Sequence, residues 1–377
     1  MSVLGRLRGS YTLLSRSDED QDQDAHKKEG RELAQTPQLD HDSDDVEAAI
    51  PVSDQSIRCS RLALVLAGFF CIIFGYLTAR LVESRSMNHT DPQLCRDVAF
   101  RREWRSLSND QKVDFISAVR CLASAPSKQI PDDSLYDDFA YVHTDTGRDS
   151  YDSAAFLPYH RYLLYVYERQ LKDVCGYNGN LPYWDWTLDW QDLAASPVFT
   201  NTSGLGSISG IDSPCVNDGP LNDLSLPYYD GEYPNCIWRA LPVHRVAQNS
   251  SKQVLSEDSL SPAAVDKLLL QNTYDEFLLE LQKNAKVYIP NGIKGNFMEF
   301  TAPNDPLFFL HHGQLDRVWW QWQQDRSYQR LLEYSANGDE GKQTRYLSDV
   351  ISLGVLANNV SVQEVMDTEA GFLCYRY

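Results

Sequence analysis

Along the 377 residues, apolar and polar positions fall into three successive patterns. Residues 15–55 contain no aromatic residue and no sustained apolar period. That composition cannot bury enough surface to fold, and it predicts a disordered tail over residues 1–57. Residues 62–79 are then 18 uncharged positions between Arg61 and Arg80, apolar on every face. At 1.5 Å per residue such a helix spans about 27 Å, close to the hydrocarbon thickness of a bilayer. Residues 58–82 therefore read as a transmembrane signal anchor, and residues 83–92 as a stalk. From residue 93 to 377 the pattern changes to helical periods separated by long polar loops, as in one folded domain.

Within that domain several helices are marked by their ends as well as by their periods. Ser108 and Gln111 make a capping box, and Ile116, Val119 and Leu122 give the apolar face of the helix that follows. Leu135, Phe139 and His143 fall at i, i+4 and i+8, so this histidine shares the apolar stripe. Further periods predict helices over about 155–172, 262–284 and 305–333, the last with Asp305 as N-cap and Pro306 at the first helical position. Residues 191–260, dense in Ser, Gly, Pro, Asn and Asp, predict loops. The chain shows no internal repeat, no phosphate-cradling glycine motif and no local Ser–His or Cys–His signature.

Charge removes one class of function. The net charge is −19, and 13 acidic against 6 basic residues lie in residues 1–57. No basic stripe is present, so a nucleic-acid partner, which is bound by Lys and Arg displacing counterions, is excluded. Orientation across the membrane is not decided by Arg58 and Arg61 on one side against Arg80 and Arg85 on the other. Two other features decide for a type II arrangement. Residues 1–87 lack asparagine, while four glycosylation sequons begin at Asn88, Asn201, Asn249 and Asn359. Six cysteines, Cys95, Cys121, Cys175, Cys215, Cys236 and Cys374, also follow the span. They allow three disulfides in 15 connectivities, which spacing leaves open. The expected location is a single-pass membrane protein of the secretory pathway, with its main domain lumenal or extracellular.

Candidate chemistry sits on two histidine-bearing segments. One runs Phe156-Leu157-Pro158-Tyr159-His160-Arg161, with Glu168 beyond it and His143 seventeen residues upstream. The other runs from Asp305-Pro306 through Phe308 to His311-His312, followed by Asp316, Trp319, Trp320 and Trp322. Both segments resemble the two copper-site signatures of tyrosinases and related type-3 copper proteins, and Pro182-Tyr183-Trp184-Asp185-Trp186 resembles a stretch of the short fungal members.

The resemblance implies a mainly α fold, with a tyrosinase-like four-helix-bundle core and long loops, preceded here by one transmembrane helix and a disordered tail. It also implies two coppers per chain, each held by three histidines, and oxidation of phenols or catechols to quinones. Imidazole suits that task because its neutral nitrogen serves Cu(I) and Cu(II) alike. On this pattern His143 and His160 resemble the first and third ligands of one copper, and His312 the third ligand of the other. Phe308 packs one turn before His312, and Asp316 accepts a hydrogen bond or ion pair one turn beyond it.

Three ligand positions depart from the pattern and hold Tyr151, Lys286 and Pro290. A lysine ammonium has no lone pair, and proline offers only a carbonyl and kinks or ends a helix. Of eight histidines, His26 and His41 lie in the tail and His89 in the stalk, which leaves His143, His160, His244, His311 and His312. Five imidazoles cannot fill six positions, and the ligand count suggests one copper or none. Two functions stay open. One is a tyrosinase-like oxidoreductase, a monooxygenase or oxidase acting on a phenolic group of a small molecule or a tyrosine-containing peptide in secondary-metabolite biosynthesis. The other is a pseudoenzyme that binds or assembles, including hetero-association with a related enzyme.

Overall fold

The computed structural model describes residues 68–76, 94–208, 215–228, 235–239, 257–334 and 345–377. Contacts divide the chain into two units, residues 1–85 and 86–377. In the first unit the described part is a short helix, α1, over residues 68–76, with Phe69, Phe70, Ile72, Ile73 and Phe74 exposed. Among the described residues no helix is long and apolar enough to cross a membrane. The remainder of the expected anchor over 58–82, the tail over 1–57 and the stalk over 83–92 lie outside the described residues, as do Asn88, Asn249 and His244.

The second unit is helical with two minimal sheets. In chain order it comprises β1 (Ala99–Phe100), α2 (Asn109–Leu122), α3 (Asp137–Asp145), α4 (Arg148–Tyr151), α5 (Phe156–Cys175), α6 (Pro262–Leu269), α7 (Tyr274–Lys283), α8 (Ala285–Ile293), α9 (Leu307–Asp325), α10 (Ser327–Arg330), β2 (Val350–Ile351), β3 (Val360–Ser361) and β4 (Tyr375–Arg376). Strand β1 pairs parallel with β4, Ala99 opposite Tyr375, and β2 pairs antiparallel with β3.

Helices α5 and α9 pack on each other and α2 packs along α5. Their contact is aromatic: Phe309 stacks on Tyr167 with centroids 3.5 Å apart, and Phe139 of α3 meets both rings edge-on. The capping box expected at Ser108 and Gln111 starts α2. Helix α5 stops at Gly176, whose φ of +69° is the left-handed conformation that lets its N–H turn back onto the Leu171 and Lys172 carbonyls.

Two long helices expected from apolar spacing are each divided. The 262–284 period breaks between α6 and α7, because Thr273 and Glu276 form a second capping box that opens a new helix. The 305–333 period breaks at Arg326, where φ −138° and ψ 55° leave the helical region. Helix α9 begins at Leu307 rather than Pro306, yet Asp305 still acts at its start: one carboxylate oxygen accepts the Leu307 N–H at 3.0 Å. The same carboxylate takes both arms of Arg239, at 2.6 and 2.7 Å.

All six cysteines beyond the apolar run pair, as Cys95–Cys374, Cys121–Cys175 and Cys215–Cys236. The second joins α2 to the end of α5, and the first joins the segment before β1 to that before β4. Disulfides of this number indicate a secreted or lumenal domain.

Candidate metal and substrate site

Helices α3, α5 and α9 each carry one of the expected histidines inward. His143 is 4% exposed, His160 4% and His312 8%. The Nε2 atoms of His143 and His160 lie 3.2 Å apart. Each ring is held from its other nitrogen: His143 Nδ1 donates to the Phe300 carbonyl at 2.6 Å, and His160 Nδ1 donates to the Phe156 carbonyl, one turn back, at 2.7 Å. A carbonyl only accepts, so both Nδ1 atoms carry the proton. Both Nε2 atoms of the neutral rings therefore present lone pairs toward each other across 3.2 Å.

His312 does not complete a three-nitrogen set. Its ring lies flat on that of His160, centroids 4.1 Å apart and planes 11° apart. Among the described residues no group of three His, Cys, Asp or Glu side chains is gathered closely enough to hold a metal. Phe308 packs against His312 at 4.1 Å and His143 at 5.1 Å, and walls the cluster on the α9 side. Phe156 walls it on the α5 side, 4.5 Å from His160. His311 lies 5.2 Å from His312 and 6.1 Å from Phe297, and its Nδ1, like that of His312, is buried without a hydrogen-bond partner. Adjacent positions on a helix diverge by about 100°, which separates the two rings.

Burial dominates the electrostatics. It pushes His143 down to about 4 against the pull of the Phe300 carbonyl, and His311 down to about 3. His160 is held well below the usual imidazole range by burial and then by His143, and His312 by burial and then by His160. All four rings are neutral at physiological pH.

Of the three departed positions, Tyr151 and Lys286 lie together beside Phe156. Tyr151 is 38% exposed, and its ring meets Phe156 and Phe300. The Lys286 ammonium sits 3.9 Å over the Tyr151 ring and 4.4 Å over the Phe156 ring. It donates to the Tyr151 carbonyl and, at 3.1 Å, to Asp152. Burial lowers the Lys286 pKa and Asp152 opposes that shift. Pro290 lies inside α8, which continues to Ile293 rather than ending at the proline; its carbonyl accepts the Lys294 N–H at 2.6 Å.

A dicopper centre therefore does not fit these residues, since its second half would meet an ammonium already bonded to Asp152 and a proline carbonyl already bonded to Lys294. In the other half, His143 and His160 bring two ring nitrogens together. Two neutral Nε2 acceptors 3.2 Å apart cannot hydrogen-bond to each other, and a proton would create a buried imidazolium with no carboxylate beside it among the described residues. The separation is one that two imidazole nitrogens take when both lie about 2.0–2.1 Å from a shared ion, by the bond lengths of zinc sites.

Asp316 lies one turn beyond His312 on α9. Its Oδ1 accepts Arg161 Nε at 2.6 Å, and its Oδ2 accepts the hydroxyls of Tyr375 and Tyr377 at 2.5 and 2.6 Å. Arg161 also lies 3.6 Å over Trp319, so Trp319 is a packing residue; Trp322 is likewise buried, against Phe277. Sequence reasoning missed the Phe300 carbonyl and the Lys286–Asp152 contact. Phe300 is 157 residues from His143, and no spacing signals such a pair. The Phe156 carbonyl was accessible in principle, being the i−4 neighbour of His160.

The model of the common central domain of tyrosinase matches residues 133–325, the segment that carries His143, His160 and His312. The chain is 39% identical over 332 residues to tyrosinase ustQ of Aspergillus flavus, covering 83% of this chain and 89% of that one. It is 40% identical over 314 residues to the tyrosinase-like protein phomQ1' of Diaporthe leptostromiformis, covering 76% and 81%. Among solved structures, a variant of the polyphenol oxidase from Thermothelomyces thermophila superposes with a TM-score of 0.62 at 26% identity, over 79% of this chain and 94% of that one. Sequence and fold agree over the same helices that bring the imidazoles together, and the chain belongs to the tyrosinase family.

Proposed function

We propose that the protein is a tyrosinase-like oxidoreductase that oxidises a phenolic group, in a small molecule or a tyrosine-containing peptide of secondary metabolism, with a single copper held by His143 and His160. The observation that carries this reading is the pair of deprotonated Nε2 atoms facing each other at 3.2 Å. When bound, copper supplies one-electron exchange between a phenol and dioxygen.

The chain's own residues do the rest. The Phe300 and Phe156 carbonyls hold both ring tautomers so that the Nε2 lone pairs stay available. Phe156 and Phe308 keep water from the imidazoles. His312, neutral and stacked on His160, is a further base beside that pair, and it accepts the phenolic proton in this reading. Lys286 and Pro290 favour a second reading, a pseudoenzyme that retains the fold as a binding or assembly partner.

Copper content separates the two. The purified chain reconstituted with copper is expected to hold one Cu(II) per chain with a paramagnetic resonance signal, lost in His160→Ala together with catechol oxidation. No copper and no oxidation would establish the pseudoenzyme. Two coupled, resonance-silent coppers would overturn both readings. We further propose that residues 58–82 anchor the chain in type II orientation, supported by the uncharged run 62–79 and by three disulfides downstream of it. The full chain should then stay with membranes through an alkaline carbonate wash, and recovery in the wash would count against the anchor.

A further inference from the structure

Lys286, at one of the departed ligand positions, brings a positive charge close to the imidazoles. Its side chain is 5% exposed, and its ammonium lies 4.4 Å from the centre of the Phe156 ring. Phe156 in turn lies 4.5 Å from His160 and 5.9 Å from His312. The ammonium is therefore no farther from the His160 ring than the first two separations together, and the neighbour they share is an aromatic ring, which neutralises no charge. Burial comes first among the causes that lower the pKa of His160 and His312, and the Lys286 charge is a further cause for both.

The balancing charge lies on the solvent side. Asp152 pairs with the ammonium at 3.1 Å, yet its own side chain is 84% exposed. Water screens that carboxylate far more than it screens the buried ammonium. Among the described residues the polar partners of His143 and His160 are two backbone carbonyls and each other, with no carboxylate. A fixed positive charge thus acts on the imidazole pair through a water-poor, aromatic surrounding.

We propose that Lys286 sets the redox preference of a copper held by His143 and His160, favouring the cuprous over the cupric ion. The inference rests on the single-copper reading above. A fixed positive charge repels a doubly charged ion more than a singly charged one, and the difference is one unit-charge interaction. At a separation of this order, in a partly buried site, that is worth about tenfold in an equilibrium constant. The couple concerned is Cu(II) plus one electron giving Cu(I); the phenol gives the electron and, in the reading above, its proton passes to His312. Lys286 touches neither copper nor phenol in this account, and acts on the imidazole site by its charge alone.

The test measures copper binding by the full chain, Cu(I) against bicinchoninate under argon and Cu(II) against an aminocarboxylate chelator. The ratio of the Cu(II) to the Cu(I) dissociation constant should fall about tenfold in Lys286→Met and stay within about threefold of the parent in Lys286→Arg, which keeps the charge. Asp152→Asn, which removes the balancing carboxylate, should raise the ratio about twofold. An unchanged ratio in Lys286→Met, an equal fall in Lys286→Arg, or a fall in Asp152→Asn would overturn the inference while leaving the single-copper reading in place. A chain that binds neither ion would overturn both. Should Lys286→Met fail to fold, Lys286→Gln retains a donor for the Tyr151 carbonyl without the charge; the same fall supports the role of the charge, and no fall refutes it.

Discussion

The Asp316 carboxylate is 3% exposed and has four polar neighbours within reach: Arg161, Tyr375, Tyr377 and, at 3.6 Å, Arg101. Each supplies a donor, so one buried charge satisfies groups from α5, from β4 and the residue after it, and from the residue after β1 at once. Asp316→Ala would strand the Arg161 guanidinium, which is fully buried, without a carboxylate. The expected loss is about 3–5 kcal/mol of unfolding free energy, read from urea denaturation. A loss under about 1 kcal/mol would mean that the cluster reorganises and is not held by this residue. The position of Asp316 one turn beyond His312 was legible from helical spacing. Its partners were not, because Tyr375 and Tyr377 lie 59 and 61 residues away in sequence.

At the scale of elements, the turn between α8 and α9 is built on residues that spacing alone undervalues. Gly295 has φ +61°, and a Cβ there would stand 2.0 Å from the Trp238 carbonyl oxygen. Gly295→Ala should cost more than about 2 kcal/mol, combining the left-handed strain with displacement of the 235–239 segment. A Tm within 1 °C of the parent chain would show that this turn relaxes. The Thr273 cap offers a milder test: Thr273→Ala should cost about 1 kcal/mol by leaving the Glu276 N–H without its acceptor. Helices were readable as apolar periods, yet their breaks were less so. Thr273-x-x-Glu276 was visible in the chain, but the continuing apolar face of 262–284 masked it. Pro290 signalled an ending that falls three residues later, since a proline there removes one N–H while the rest of the α8 turn stays bonded.

For the whole molecule, four imidazoles buried in neutral form make stability depend on pH. Their folded pKa values lie below the unfolded value near 6.5, His143 at about 4 and His311 at about 3. Between those limits the unfolded chain binds more protons than the folded one, so stability rises with pH there. The contribution is complete above about pH 6.5 and is lost as pH falls toward 4. At pH 5 each such imidazole accounts for at most about 2 kcal/mol. The urea midpoint of the metal-free chain should therefore fall between pH 7.5 and pH 5. A midpoint that holds steady or rises on acidification would contradict neutral burial of the histidines.

The order of motifs, the periods of the helices, the even set of cysteines and the shortage of imidazoles were all written in the linear chain, because each depends on residue type and local spacing alone. Neither the disulfide pairing nor the partners of the histidines could be read there. The Phe300 carbonyl selects the tautomer of His143 from 157 residues away, and the face-to-face stacking of His312 on His160 separates one candidate ligand from the other two. Those outcomes depend on how α3, α5 and α9 pack, and a packing angle is set by side-chain volumes from several segments together. Counting histidines showed that six ligands were out of reach; only the folded arrangement distinguished the pair whose nitrogens face each other from the ring that lies flat beside them.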